Sequence, residues 1–296
     1  MRLRYFLYNA FLIEHAATKI AIDPGLNMWI GKLNSLIPQS EWNSVTHILA
    51  THGDPDHYWY IDTVAHSSNA PIICGKELVK TEDEDKFLLD PRKRGIQYST
   101  RLDGIYALEV GETIEVDGVN IQGLKSVHGP VVVYFVCGLV RREFASGPGE
   151  RVGMGAIGFQ ITVGDTTLVN LGDTLIQKEW GGLKPDILMI PIGGRIAKNT
   201  MNEDEALEAV RFISPKLVIP CHYNGAFFWK VNGNPADDGY FKTQLENMGI
   251  ACRIMGYGDE IVMWRGSTQV SLHKSERIRA ASTRTGFSAG APEPAG

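Results

Sequence analysis

Cysteine is scarce in this sequence, and it is never paired. Cys74, Cys137, Cys221 and Cys252 are the only four in 296 residues, and no two form a CxxC. A zinc knuckle is therefore excluded and a disulfide framework has no basis, so reduced, mostly buried thiols are expected. Positive charge is not in excess either: 29 Lys and Arg against 34 Asp and Glu leave a net charge of −5. That balance excludes a broad basic face for nucleic acid, although not a small local basic site, and points to a small-molecule substrate. Long apolar runs are also missing. "PVVVYFVCGLV" stops at Arg141 and Arg142, short of the roughly 18 residues a membrane span requires. The opening "MRLRYFLYNAFLIEHAATK" is basic and then apolar, but Glu14 and His15 interrupt it and no small-residue cleavage site follows. It reads as a first strand rather than a signal, and a soluble, cytoplasmic protein without a membrane partner is expected.

What the chain does have is ordinary globular material, 44% hydrophobic and 21% charged, enough for a sizeable core. Short β-rich runs separated by turn residues recur at Arg4–Ile13, Lys19–Ile22, His47–Ala50, Ile72–Cys74, Thr113–Val116 and Val119–Val127. They recur again at Gly158–Val163, Thr167–Leu171, Ile187–Ile190, Leu217–Pro220, Arg253–Met255 and Glu260–Trp264. "VDGVN" predicts a hairpin, because Asp117 and Gly118 tolerate the positive φ of a tight turn. Helical spacing appears in "NEDEALEAVRFI", with Ala206, Val210 and Ile213 on one face and acidic residues in the first turn. Further helices are expected over Tyr58–His66, Lys76–Glu84 and Asp237–Met248. No fixed-period repeat and no linker divides the chain, and each half offers strands and helices for one of two packed sheets. Residues 1–272 are read as one domain and 273–296 as a disordered tail, since the tail has few large apolar residues. "RREFASGPGERVGMG", Arg141–Gly155, has the Gly and polar content of a mobile loop.

The chemistry is concentrated in "THGDPDHYWY". His52, Asp54, Asp56 and His57 lie within six positions behind the run "HILA", with Gly53 and Pro55 constraining the backbone between them. A loop at a strand end can aim such side chains at one spot. Carboxylates brought that close repel and have raised pKa values unless cations neutralise them. The plainer alternative is an exposed polar turn. Three more candidates follow β-rich runs in the same manner: His128 after "VNIQGLKSV", Asp173 after "TTLVNLG", and His222 after "PKLVIPC". Each singly is as compatible with a core or surface side chain; together they supply a full ligand set.

These pieces resemble the metallo-β-lactamase superfamily, and within it the UPF0173 and ascorbate-6-phosphate lactonase-like metal-dependent hydrolases. The resemblance rests on "AFLIEHAATKIAIDPG", "ILATHGDPDH", the strand ending in His128, "IGFQITVGDTTLVNLGDT", and "KPDILMIPIGG" followed by "EALEAVRFISPKLVIPCHYN", spanning Ala10–Asn224. It implies an α/β fold, an αββα sandwich of two mixed sheets flanked by helices, with metals at one edge between the sheets. Carried over, the motif H-x-H-x-D-H falls on His52, Asp54, Asp56 and His57, with later ligands at His128, Asp173 and His222. One divalent ion would take His52, Asp54 and His128; a second would take Asp56, His57 and His222; Asp173 would bridge. Two departures stand out: Asp54 replaces the usual histidine, and "YNAF" stands where many relatives read G-H-S-A-F, leaving Tyr8 in place of a histidine.

Three carboxylates and a bridging hydroxide sum to −4 against +4 from two divalent ions, so Asp54 makes the centre formally neutral, where histidine would leave +1. An anionic substrate is then attracted less, and harder ions gain ground: Zn²⁺ is the first expectation, with Mn²⁺ or Fe²⁺ as alternatives. Occupancy by a single metal is the other consequence open to Asp54. The implied reaction is hydrolysis of a small lactone, ester, phosphodiester or amide by a metal-bridged hydroxide, with Asp56 as ligand and candidate catalytic base. Arg195 and Lys198 on the loop "IGGRIAKNT" are candidates for holding an anionic group, with a solvated loop as the alternative. Tyr223 and Asn224 are candidates for substrate contact or loop packing. Trp29, Tyr58, Trp59, Phe227, Phe228 and Trp229 could line a pocket or serve the core. An iron-dependent oxygen or redox protein on the same scaffold, and a non-catalytic binding module, are the alternative functions. Relatives commonly assemble, so a homo-oligomer is possible.

Overall fold

Alternation along the strands decides which side chain faces which layer. In Thr18–Ile22, Ile20 and Ile22 join one apolar cluster and Ala21 another; in Ile187–Pro191, Ile187 and Met189 face one way and Leu188 and Ile190 the other. Strands apolar on both faces must be covered on both. The computed structural model describes residues 1–27, 34–79, 104–135, 140–147, 150, 152–225, 232–263 and 270–273. It meets that demand with two mixed sheets face to face and helices on the outside, the αββα sandwich implied by the resemblance.

The first sheet has eight strands in the order Val270–His273, Glu260–Met263, Arg2–Tyr5, Phe11–His15, Thr18–Ile22, His47–Ala50, Ile72–Gly75 and Ile105–Leu108. The second has seven: Ala251–Cys252, Leu217–Cys221, Ile187–Pro191, Thr166–Asn170, Ile157–Val163, Val119–Lys125 and Thr113–Val116. Between them lies a core built from both, including Leu3, Phe11, Ile22, Leu49, Phe159, Ile161, Met189 and Ile219. Each fully buried aliphatic side chain there contributes about 1.5–3 kcal/mol. The outer face of the first sheet carries the helix Ile61–Ser68 and Trp42; that of the second carries Glu203–Ile213 and Asp238–Asn247. Asn202 caps Glu203–Ile213 in a capping box with Glu205, a contact worth about 1 kcal/mol.

Several expectations change. Arg4–Ile13 is not one strand: it folds back at Leu7 and Tyr8, both at positive φ, so that Arg2–Tyr5 pairs antiparallel with Phe11–His15. Arg141–Gly155 is not wholly a loop, because Val140–Phe144 pairs with Val131–Phe135, a hairpin the sequence reading passed over. Where a strand is expected at Arg253–Met255, the strand is Ala251–Cys252. The helix expected at Lys76–Glu84 begins as the 3-10 turn Lys76–Leu78, and its remainder from residue 80 lies outside the described residues. The halves do not each own a sheet, since Glu260–Met263 and Val270–His273 close the first sheet beside Arg2–Tyr5. The tail lies outside the described residues apart from His273. The Asp117–Gly118 turn has φ of 48° and 79° and joins an antiparallel pair. Cys74, Cys221 and Cys252 are buried free thiols, while Cys137 lies outside the described residues. Among the described residues no helix is long and apolar enough to cross a membrane.

Candidate metal centre

Strand direction brings the site together. Thr18–Ile22 and His47–Ala50 run parallel, as do Thr166–Asn170, Ile187–Pro191 and Leu217–Cys221. Val119–Lys125 runs the same way as Thr166–Asn170, because each is antiparallel to Ile157–Val163 between them. The segments leaving these strands, carrying Asp23, His52, His128, Asp173 and His222, therefore emerge at one edge of the sandwich. The helical turn Pro55–Tyr58 starts at once, with Pro at its first position and Asp54 as N-cap. An N-cap aspartate ordinarily accepts from the helix N–H groups. Here it makes no such bond, and Asp54 Oδ1 instead accepts from Gly153 N–H at 3.0 Å, leaving Oδ2 aimed at the histidines.

Three donor groups converge: His52 with Asp54 and His128, Asp56 with His57 and His222, and His52 with His57 and Asp173. The first two are the ligand sets carried over from the resemblance. Asp54 Oδ2 is 3.6 Å from His52 Nε2 and 3.5 Å from His128 Nε2. Asp56 Oδ2 is 3.6 Å from His57 Nε2 and 3.3 Å from His222 Nε2. Donors about 2.1 Å from a tetrahedral ion are separated by about 3.4 Å, close to these carboxylate–imidazole distances, and within each set all donors lie within 4.8 Å of one another. Asp173 faces both: its Oδ1 lies 3.8 Å from His57 Nε2, and its Oδ2 lies 3.9 Å from His128 Nε2 and 3.0 Å from His222 Nε2.

The protons agree with ligation. His128 donates from Nδ1 to the Gly129 carbonyl at 2.6 Å, so a neutral ring presents the Nε2 lone pair. Burial and the neighbouring His52 hold this imidazole below its ordinary pKa. Thr51 gives its one hydroxyl proton to Asp23 Oδ2, so its oxygen accepts from His52 Nδ1 at 3.1 Å, and His52 Nε2 is again the lone pair. The Nε2 atoms of His52, His57 and His128, together with Asp173 Oδ1, are buried with no hydrogen-bond partner. Polar atoms stranded in this way cost free energy unless something binds them. Imidazole nitrogens and carboxylate oxygens suit Zn²⁺, Mn²⁺ or Fe²⁺.

The remaining polar groups hold these donors in place. Asp23, fully buried, accepts from His57 Nδ1 at 2.7 Å, from Asn9 Nδ2 at 2.6 Å and from the Thr51 backbone N–H at 2.8 Å. Asn9 is tied to Asn170 by reciprocal 2.9 Å bonds, and Asn199 donates to Asp173 Oδ2 at 3.0 Å. Asp23, Asn9 and Asn199 are absent from the sequence-derived set. Asp23 had a signal, since it follows a strand and precedes Pro24 just as the ligands follow strands; the asparagines had none. Without cations the histidines supply the positive charge. Burial opposes it, but Asp56, Asp173 and Asp23 push the His57 imidazole up to about 9, and Asp173 and Asp56 push His222 up to about 10. Burial would raise Asp173, but His222 and His57 bring it down to about 2; Asp56 is held lower still by His57 and His222.

Tyr8 is buried at φ 46°, its ring 5.8 Å from that of His222 and its carbonyl accepting from His222 N–H at 2.7 Å. Arg195 is half exposed and paired with Glu203 at 2.9 Å, and Lys198 is exposed at the end of the short helix Gly194–Ala197. Tyr223 donates to Asp238 at 3.2 Å, and Asn224 bonds Ala236 and Asn232, so both side chains have partners within their own loop region. Tyr58 is buried and Trp59 exposed, whereas Trp29, Phe227, Phe228 and Trp229 lie outside the described residues.

Residues 2–222 match the family model described as a beta-lactamase superfamily domain. A UPF0173 metal-dependent hydrolase of Nanoarchaeum equitans is 27% identical over 265 residues, covering 88% of this chain and 99% of that protein. Igni18, a metallo hydrolase from Ignicoccus hospitalis, has a TM-score of 0.65 at 19% identity, covering 93% of this chain and 99% of that one. CmlA, a diiron β-hydroxylase from Streptomyces venezuelae, has a TM-score of 0.59 at 14% identity, covering 88% of this chain and 54% of that one. At such identities the two structures share the fold.

Proposed function

The chain belongs to the metallo-β-lactamase superfamily, and from that premise we propose that it is a metal-dependent hydrolase of a small ester, lactone, amide or phosphodiester, with two divalent ions held at the seven-residue cluster. The observation that carries this reading is the convergence of three buried, unpartnered imidazole Nε2 atoms on three carboxylates. His52, Asp54 and His128 would hold one ion and Asp56, His57 and His222 the other, with Asp173 between them. Bound there, divalent ions would polarise the scissile carbonyl or phosphoryl oxygen and lower the pKa of an attacking water. Asp56 is ionised at neutral pH and orients that water through a carboxylate oxygen; a carboxyl held so low is a weak proton store, so orienting is its main role. Asp23 fixes the His57 ring and Asn199 fixes Asp173, so that His57 Nε2 and an Asp173 oxygen face the centre.

The test is metal content per chain for wild type, Asp54→His and Asp54→Ala, purified without added metal, alongside hydrolysis of small esters and phosphodiesters. About two ions per wild-type chain, chelator-sensitive turnover, and loss of both metal and turnover in Asp54→Ala are the expected results. One ion or none, unchanged by either substitution, would refute it. A second reading, iron-dependent oxygen chemistry, is favoured by the three carboxylates among the donors. It requires oxygen uptake by the iron-loaded, reduced protein and no chelator-sensitive hydrolysis.

A further inference from the structure

Resting on the hydrolase reading and deepening it, we infer that the substrate is an uncharged acyl compound whose apolar group occupies a cavity bordering His128. The cavity has a volume of about 360 Å³, and its wall includes His128 and Gly153, the residue whose N–H holds Asp54. No other member of the seven-residue cluster lines it, so it adjoins the His52, Asp54 and His128 side of the centre. Leu108, Val110, Val127 and Ile157 line it, and of these Val110 and Val127 are the exposed apolar side chains. At roughly 30 Å³ for each water-sized group, the space takes about a dozen non-hydrogen atoms, a medium acyl or aryl group.

Charge decides against an anion. Among the described residues Lys76 is the one cation in the lining, and its ammonium is paired with Glu109 at 2.5 Å, while Glu77 adds a second negative charge. The hydroxyls are engaged as well, since Ser146 donates to the His128 carbonyl at 2.7 Å and Ser126 to the Asp173 carbonyl at 3.4 Å. No described side chain of this wall would repay the desolvation of a phosphate. The centre points the same way, because Asp54, standing where a histidine would add no charge, offsets one more of the four charges of two divalent ions and so weakens the pull on an anion. In the reaction, the water oxygen bonds to the acyl carbon, the carbon–oxygen bond to the alcohol breaks, and the water's proton passes to the leaving oxygen, giving a carboxylic acid and an alcohol.

The test uses the zinc-loaded full chain with p-nitrophenyl acetate, butyrate and hexanoate and with bis-p-nitrophenyl phosphate, for wild type, Val110→Trp and Ala156→Leu. Burial of a methylene corresponds to about a fourfold gain. The hexanoate-to-acetate ratio of kcat/KM, corrected for the hydroxide-catalysed rates, is therefore expected to be on the order of 100 in wild type and to fall at least tenfold in both variants. Binding of hexanamide, read by calorimetry, is expected to weaken in the same variants. A flat chain-length profile with ester turnover intact, or a preference for the phosphodiester, would overturn the inference and leave the hydrolase reading standing. No chelator-sensitive turnover of any compound would instead sink the hydrolase reading and the substrate assignment with it. The cavity is judged separately by hexanamide: binding that is absent or insensitive to both substitutions overturns its role.

Discussion

Replacing Asp23 by asparagine removes one charge from a fully buried position and changes no volume. Asp23 Oδ2 accepts from His57 Nδ1, Asn9 Nδ2 and the Thr51 hydroxyl, and Oδ1 accepts from the Thr51 backbone N–H. An asparagine has one acceptor to offer. Its less costly orientation places the amide oxygen among the three donors and turns the NH₂ toward the Thr51 N–H, leaving two donors facing each other in a dry site. An unsatisfied buried donor costs about 1–3 kcal/mol, and exchanging charged for neutral acceptors costs about 1 kcal/mol more. The metal-free protein should therefore lose about 2–4 kcal/mol. The grip on the His57 ring loosens at the same time, and such losses behind a ligand typically lower metal affinity about 10- to 100-fold, or about 1.4–2.7 kcal/mol. Urea unfolding of the metal-free protein and a zinc titration against a chromophoric chelator measure the two effects. Zinc affinity within twofold of wild type, with an unchanged urea midpoint, would show that Asp23 does not orient His57.

Three further outcomes follow from the same geometry. Because His57 and His222 have pKa values of about 9 and 10 in the metal-free site, both are protonated at pH 7 and must lose a proton to ligate. Metal uptake should release about two protons per chain and tighten as pH rises from 7 to 9; calorimetry in buffers of different ionisation enthalpy would refute this by finding no proton release. Gly153→Ala places a Cβ against the His128 ring, 2.8 Å from Nδ1, at a φ of 66°. It should displace both His128 and Asp54, lowering bound metal to at most one ion per chain by elemental analysis; full occupancy would count against the packing argument. Glu41, bound by Arg4 and Lys19, has its carboxyl lowered from 4.5 to about 2, since these partners outweigh the opposing effect of burial. Its contribution to stability is present above pH 4.5 and lost as pH falls through about 2. The stability gap between wild type and Glu41→Gln in urea should accordingly be larger at pH 5 than at pH 2, and an equal gap at both would refute the linkage.

The order of donors along the chain was legible in the sequence because local rules fix it. Each of His52, Asp54, Asp56, His57, His128, Asp173 and His222 lies in the turn that follows a β-rich run. The consecutive apolar residues that predict strands at His47–Ala50 and Ile187–Ile190 also require both of their faces to be covered, in keeping with the sandwich that the resemblance implies. Contacts of high sequence separation were not legible. Asn9 meets Asn170 across 161 positions, and no periodicity or turn chemistry links two asparagines so far apart. The fold-back at Tyr8, the separate hairpin of Val131–Phe135 with Val140–Phe144, and the entry of Glu260–Met263 into the first sheet beside Arg2–Tyr5 likewise depend on pairings that local sequence does not specify. Tyr223 and Asn224 sit beside a ligand in sequence, yet the tertiary structure gives them partners in their own loop region. Sequence by itself determined the donors and the strands that carry them. The tertiary structure decided which carboxylates face which imidazoles, which buried groups hold their protons away from the centre, and where the apolar cavity opens, because each depends on distances between segments that local backbone preferences do not encode.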